Sequence, residues 1–145
     1  MINFKIILNV LGYLLIALSI VMLIPMFVDL GVGNYTWKSF ITSSVITFGF
    51  GVTFLISTLN EENNKILMQD AFLITSLSWL SISIFGAFPF YFSENGLNIT
   101  NSIFESMSGI TTTGSSVIQN IESLTEGMLI WRGLLQWMGG IGIIV

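Results

Sequence analysis

Cysteine and histidine are both absent from this chain of 145 residues. Without them the chain has no disulfide bridge, no thiolate or imidazole metal ligand, and neither a Cys-His pair nor a Ser-His-Asp triad for catalysis. Charge is also scarce, because charged residues make up 8% of the sequence, compared with about 25% in a typical soluble domain. The 4 basic residues and the formal net charge of −4 offer no basic face to nucleic acid. These absences argue against an enzyme and against a nucleic-acid-binding protein.

Apolar residues dominate instead, at 53% of the sequence. Three uncharged runs cover residues 6–28, 39–60 and 71–93. Each run is about 22 or 23 residues long, and a helix of about 20 residues is enough to cross the hydrocarbon core of a membrane. The first run is too long for the core of a signal peptide and has no small-x-small cleavage site, so we expect it to stay as an anchor. The sequence therefore predicts an all-α integral membrane protein that crosses the lipid bilayer several times.

The segment after these runs is much shorter. Residues 100–109 are too few to span a bilayer, and stretches of this length are candidates for re-entrant helices. Ser102, followed three residues later by Glu105, has the form of an N-terminal capping box, and Gly109 is placed to end the helix. We therefore expect a short pore helix whose C-terminus, the negative end of its dipole, points towards the bilayer centre.

A run rich in hydroxyl groups follows at residues 110–116, Ile-Thr-Thr-Thr-Gly-Ser-Ser. Non-helical backbone survives at membrane depth only where protein shields it or where it lines a wet cavity. Carbonyls can replace the water around a cation if the loop alternates between ordinary and left-handed torsions, which Gly114 adopts without penalty. The run is therefore predicted to be an ion filter. The alternative is an exposed turn, which is what a Ser/Thr/Gly cluster between apolar segments usually forms.

A fourth apolar stretch begins at Met128, after a polar segment that returns the chain to the water face it left. It reaches Val145 without a polar flank, so we expect the sequence to be cut off within a helix. Spanning helix, pore helix, filter and spanning helix, in that order, form the membrane-pore-membrane unit of cation channels. We therefore expect two leading transmembrane helices with a cytoplasmic loop and then one such unit with a truncated last helix. The boundaries are 1–69 for the leading part and 70–145 for the unit, with the outer helix at 70–93, the pore helix at 100–109, the filter at 110–116 and the start of the inner helix at 128–145.

Four stretches of the sequence carry a resemblance to a known family. They are DAFLI at 70–74, FGAFPF at 85–90, FESMSGITTTG at 104–114, and WR with QWMGGIGIIV within 131–145. Together they cover about half of the chain, and the last two in tandem are highly specific. In these residues the chain resembles the Trk/Ktr/HKT superfamily of potassium transporters, and most closely the TrkH subunits of bacterial Trk potassium uptake systems.

The resemblance implies a longer protein, in which four membrane-pore-membrane repeats surround one pore after two extra N-terminal helices. On this basis Thr112 and Thr113 match the ion-coordinating pair of the family, and Gly114 matches its filter glycine. Thr111 and Ser115 are expected to be neighbours of the ion path. The metal ion that the resemblance implies is the transported potassium, and no cofactor is implied.

The function implied by the resemblance is potassium uptake across the cell (inner) membrane. The implied partners are a second copy of the full-length chain, forming a homodimer, and a cytoplasmic nucleotide-binding regulatory subunit of the TrkA kind. The alternative is a structural membrane protein whose Gly/Ser/Thr segments only pack helices. An enzyme is not expected, because Ser115 and Ser116 have no histidine as a base and the Gly140-x-Gly142 motif lacks a preceding strand and a third glycine.

Alternation of the spans, together with the lysine bias, predicts the topology. Lys5 and Lys65 lie on the same side after two crossings, and lysine favours the cytoplasmic side. We therefore expect the N-terminus and residues 61–70 in the cytoplasm. Because this chain has no cysteine of its own, single cysteines placed at Asn64 and Gly33 of the full-length protein should react with a membrane-impermeant maleimide from opposite faces. Labelling of both positions from one face would contradict this topology.

Overall fold

A computed structural model describes residues 4–58, 67–94 and 96–144 of the chain, without the side chains of residues 143 and 144. The regular elements within these residues are all helical. In chain order they are α1 (Phe4–Val21), α2 (Leu23–Val32), α3 (Trp37–Ile56), α4 (Met68–Gly86), α5 (Phe88–Phe92), α6 (Ile99–Ile110), a short 3₁₀ turn (Ile121–Ser123) and α7 (Glu126–Ile144). The polar loop predicted around residues 61–65 lies outside the described residues.

Three segments of the described chain are long and apolar enough to cross a membrane. They are Phe4–Val32, Trp37–Ile56 and Met68–Phe92. These segments overlap the three uncharged runs of the sequence, so the prediction of an all-helical membrane protein is confirmed. The fourth long helix, α7, carries Glu126, Arg132 and Gln136 and is not among the three.

Two prolines divide the first and third of these segments into pairs of helices. Pro25 has no N–H to donate to the carbonyl of Val21, and the chain is interrupted between α1 and α2 at this point. Pro89 accompanies the same kind of break between α4 and α5. Pro25 lies in the first turn of α2, and α2 continues through residues 29–32 to its C-cap Gly33, whose φ is 90°.

Small residues allow α1 and α3 to lie close together. A Cβ atom built on Gly51 would lie 2.8 Å from Cγ1 of Ile16 and 3.0 Å from the carbonyl oxygen of Gly12. The two helices could therefore not keep their present distance if Gly51 carried a side chain. Gly49, two residues earlier, has no atom within 4 Å of such a Cβ. Within the described residues, Gly51 therefore serves close helix packing and Gly49 does not.

Trp131 connects α7 to the helices that precede it. Its side chain is fully buried, its ring meets the ring of Phe40 edge-on at a centroid distance of 6.3 Å, and its Nε1 donates to the carbonyl oxygen of Gly86 at 3.0 Å. An apolar core drawn from α1, α2, α3, α5 and α7 surrounds it. The buried members of this core are Leu15, Leu18, Met22, Met26, Phe40, Phe90, Met128, Trp131 and Leu135. The leading helices and α7 thus share one core.

Replacement of Gly51 by alanine should destabilise the protein, because the added methyl group has to push apart two packed backbones. Overpacking of this kind costs roughly 1–3 kcal/mol. Gly49→Ala on the same helix is the matched control and should leave the melting temperature nearly unchanged, since the space beside Gly49 is open. Thermal unfolding of the detergent-solubilised full-length protein measures both effects. Equal melting temperatures for the two variants would show that the contact of α1 with α3 is not close-packed in the membrane.

Candidate functional site

The short helix α6 begins at an asparagine cap. Asn98 has an extended backbone, with φ −62° and ψ 162°, and its Oδ1 accepts a hydrogen bond from the amide of Asn101 at 2.8 Å. The predicted capping box of Ser102 and Glu105 is wrong. Because the helix starts at Ile99, Ser102 already lies within its first turn, and its hydroxyl donates to the carbonyl oxygen of Asn98 at 3.0 Å.

The other end of α6 extends beyond the glycine that was expected to close it. Gly109 is helical and the helix ends at Ile110, so the prediction of Gly109 as the C-terminal residue is wrong. Gly109 instead gives α7 room, because a Cβ on it would lie 3.0 Å from the Cβ of Leu135. Gly139 has a matching role on α7, since a Cβ there would collide with the carbonyl oxygen of Ile110. The end of α6 therefore rests directly on the backbone of α7.

The loop after α6 contains two residues in the left-handed region. Gly114 has φ 76°, so the left-handed conformation predicted for it is confirmed. Thr112 also has a positive φ, 56°, whereas Thr113 between them does not. A β-branched residue rarely adopts this conformation, and holding it there costs roughly 1–3 kcal/mol, which the surroundings have to offset. The sequence did not indicate the torsion of Thr112, because its residue type argues against it.

Hydrogen bonds from the loop back to α6 hold these torsions. The amides of residues 111–114 all donate to carbonyl oxygens in the last turn of the helix. The pairs are Thr111 to Met107 at 2.9 Å, Thr112 to Gly109 at 2.9 Å, Thr113 to Ser108 at 3.0 Å and Gly114 to Ser108 at 3.4 Å. Among the described residues, no hydrogen bond ends on the carbonyl oxygens of residues 111–114. Four successive carbonyl groups are therefore free to accept from, or coordinate, something else.

Two residues of the loop are also bound to α6 through side-chain hydroxyl groups. The Thr111 hydroxyl donates to the carbonyl oxygen of Met107 at 2.8 Å and lies 2.9 Å from the hydroxyl of Thr113. The Ser115 carbonyl accepts the hydroxyl of Ser108 at 2.6 Å. Thr111 is partly buried, whereas Thr112, Thr113, Gly114 and Ser115 are exposed. The predicted site residues thus form one exposed loop that is bound to the end of α6 at Thr111 and Ser115.

Glu105 fixes the chain that leaves this loop. Its Oε1 accepts from the hydroxyl of Ser116 at 2.5 Å and from the amide of Val117 at 2.7 Å, and its Oε2 accepts from Nη1 of Arg132 at 2.5 Å. The Glu105 side chain is 1% exposed and that of Arg132 12% exposed. This buried ion pair connects α6, the loop and α7. Sequence reasoning missed it, although a lone arginine in an apolar stretch such as that of α7 indicates a buried acidic partner.

A cation at this loop would depend on neutral oxygen atoms. Within residues 4–58, 67–94 and 96–144, no group of three or more acidic side chains is placed to hold a metal ion. The free oxygens near the loop are backbone carbonyls and threonine hydroxyls, and oxygen ligands of this kind replace the hydration shell of a monovalent cation.

Comparison with known proteins relates this geometry to a family. Residues 37–145 match the profile of the family described as TrkH, cation transport protein. The chain is 40% identical over 139 residues to the Trk system potassium uptake protein TrkI of Halomonas elongata, which covers 96% of this chain and 28% of that protein. It is 36% identical over 144 residues to the Trk system potassium uptake protein TrkH of Escherichia coli, which covers 99% of this chain and 30% of that protein.

A solved structure has the same fold. The crystal structure of the potassium transporter TrkH from Vibrio parahaemolyticus superimposes with a TM-score of 0.92 at 32% identity. The match covers 99% of this chain and 31% of that one. The chain thus spans about 30% of the length of the relatives it matches.

Replacement of Glu105 by glutamine should strongly destabilise the protein. The variant leaves Arg132 buried without a counter-charge, and breaking a buried ion pair from one side costs roughly 3–5 kcal/mol. We expect a lower melting temperature of the full-length protein in detergent. Glu94→Gln, which removes an exposed carboxylate, should change the melting temperature little. A Glu105→Gln variant as stable as wild type would mean that the ion pair does not support the fold.

Proposed function

This chain belongs to the TrkH family of cation transport proteins, and we propose that it is part of the pore-forming subunit of a potassium uptake system in the cytoplasmic membrane. The family and its named relatives are transporters, so no catalytic activity is indicated. Relatives named as potassium uptake proteins support potassium as the transported ion. In this proposal α6 is the pore helix and the loop that follows it is one part of the ion filter.

The observation that carries the proposal is the set of free carbonyl groups at residues 111–114. Their amides are occupied by the last turn of α6, and their carbonyl oxygens accept no hydrogen bond from any described residue. A backbone that leaves four successive carbonyls unpaired at membrane depth is stable only if water or an ion takes their place. A cation that loses its hydration water needs such oxygens as ligands. Binding of the ion would therefore give the carbonyl groups a partner and replace the water that the ion has lost.

The electrostatics of α6 favour the same ligand. The C-terminal end of a helix carries a partial negative charge, equivalent to about half an elementary charge. In this chain that end is the last turn of α6, next to Thr112 and Thr113. We propose that these two threonines coordinate the ion, that Gly114 supplies the left-handed turn between coordinating groups, and that Thr111 and Ser115 neighbour the ion path.

The greater length of the relatives suggests what the rest of the transporter contains. Because this chain spans about 30% of them, we propose that further repeats complete the ring of oxygens around the ion. In this division residues 1–69 are the leading helices and 70–145 are the first membrane-pore-membrane repeat. A multi-pass location in the inner membrane, a homodimer of the full-length chain and a cytoplasmic nucleotide-binding regulatory subunit of the TrkA kind complete the proposal.

The packing of the glycines argues against a purely structural membrane protein. Gly51 and Gly139 do pack against neighbouring backbone, as the alternative requires. Gly114 does not, because no described atom lies within 4 Å of a Cβ built on it. A glycine that is left-handed, exposed and without packing contacts is expected in a loop whose backbone does the binding.

Replacement of Gly114 by serine tests this function. The left-handed torsion costs an L-residue roughly 1–2 kcal/mol. We therefore expect either potassium uptake by the full-length protein or its selectivity for potassium over sodium to fall about tenfold. Uptake of rubidium and sodium into proteoliposomes measures both. Gly133→Ala is the matched control, because Gly133 is helical and no atom lies within 4 Å of an added Cβ. Unchanged uptake and selectivity in Gly114→Ser would show that the loop is an ordinary turn.

A further inference from the structure

The carboxylate of Asp29 caps a helix that begins almost a hundred residues later in the chain. Asp29 lies on α2 and is fully buried. Its Oδ1 accepts a hydrogen bond from the amide of Gly127, in the first turn of α7, at 2.8 Å. The first amides of a helix have no partner within the helix, so this bond satisfies one of them from a different element.

Three further donors complete the surroundings of this carboxylate. The hydroxyl of Thr36 donates to its Oδ2 at 2.5 Å, the hydroxyl of Thr125 donates to the same oxygen at 3.3 Å, and the side-chain amide of Asn34 donates to Oδ1 at 3.2 Å. The Asn34 amide also donates to the carboxylate of Glu126 at 2.7 Å. Helix α2 and the connection after it are thereby joined to the start of α7. We call this set of residues, with Gly127, the Asp29 clamp.

Gly127 is the residue that lets the carboxylate reach the helix. A Cβ built on Gly127 would collide with both carboxylate oxygens of Asp29. Glycine in the first turn of α7 otherwise weakens the helix, because it has more backbone entropy to lose than other residues. Its presence is explained by the space that the carboxylate occupies.

The helix held by this clamp is the one that supports the filter loop. Farther along α7, Arg132 contacts Glu105 and Ser116, and Gly139 lies against the last carbonyl of α6. The position of α7 along its own axis therefore sets where these contacts fall. A helix rises 1.5 Å per residue, so a slide by a single residue would remove the contact of Gly139 with Ile110.

We propose that Asp29 is a positioning residue for the ion path, which acts from α2 by capping α7 and fixing the helix that backs the filter. The negative carboxylate also lies at the positive end of the α7 dipole, where it is favourable. The leading helices would then hold the filter loop in position through α7, in addition to anchoring the protein in the membrane. The role in ion selection rests on the function proposed above, whereas the capping itself does not.

Amide hydrogen exchange tests the cap without measuring transport. In the full-length protein, Asp29→Ala should raise the exchange rate of residues 126–130 at least tenfold, because the Gly127 amide loses its acceptor and the first turn of α7 is no longer held by α2. Asp29→Asn keeps one acceptor oxygen and should give an intermediate rate. Glu122→Gln is the matched control, since it removes an exposed acidic side chain from the 3₁₀ turn just before α7 and should leave the rate unchanged. Wild-type exchange of residues 126–130 in Asp29→Ala would overturn the proposal, whatever happens to transport.

A double variant separates the clamp from general destabilisation. Gly127→Ala alone should raise the same exchange rates about as much as Asp29→Ala, because the new methyl group displaces the carboxylate. When Gly127→Ala is added to Asp29→Ala, the rates should change less than twofold, since no carboxylate is left to displace. Additive effects of the two changes would mean that the residues act independently, and the proposal would fail.

Transport then tests whether the cap positions the filter. Proteoliposomes with Asp29→Ala should take up rubidium over sodium with several-fold lower selectivity than wild type, and Asp29→Asn should recover part of it. Faster exchange with unchanged selectivity would refute the positioning role. If the wild-type protein itself transports no rubidium, the proposed function fails, while the exchange data still decide whether Asp29 caps α7.

Discussion

The hydrogen bonds between the loop at residues 111–114 and the last turn of α6 are the constraint on which the site depends. They satisfy both the helix carbonyls and the loop amides, two sets of groups that a helix end and a non-helical loop would otherwise leave without a partner. Once the amides are occupied, the free groups of the loop are the carbonyls. The left-handed torsions of Thr112 and Gly114 follow from the need to direct successive amides back towards one helix end.

Two buried carboxylates hold α7 against this arrangement. Glu105 pairs with Arg132 and binds the chain that leaves the loop, while Asp29 caps the first turn of the helix. A buried charge is tolerated only when donors surround it, and both carboxylates have several. Because an uncompensated charge would be costly, these contacts select one register of α7. Apolar packing around Trp131 stabilises the helix, but it discriminates less sharply between neighbouring registers.

Glycine serves three different purposes in this chain. Gly51 and Gly139 let helices approach each other, Gly114 provides a left-handed torsion, and Gly127 leaves space for a carboxylate. The sequence indicates the first two of these roles, because small residues are typical of helix contacts in membranes and glycine adopts left-handed torsions without penalty, but it does not indicate the third. The difference lies in what surrounds each residue, which depends on helices distant in the sequence.

The sequence by itself determined the features that depend on neighbouring residues. Apolar run length predicted the three membrane-crossing segments, and the change to a short stretch predicted a separate short helix near residues 100–109, because hydrophobic length and glycine torsions are local properties. Helix ends were predicted less well, since Ser102 and Gly109 each fit more than one position in a short helix. The tertiary structure alone decided the partners of Asp29 and Glu105. Asp29 and Gly127 are separated by 98 positions in the sequence, and Glu105 and Arg132 by 27, so these hydrogen bonds depend on how whole helices cross.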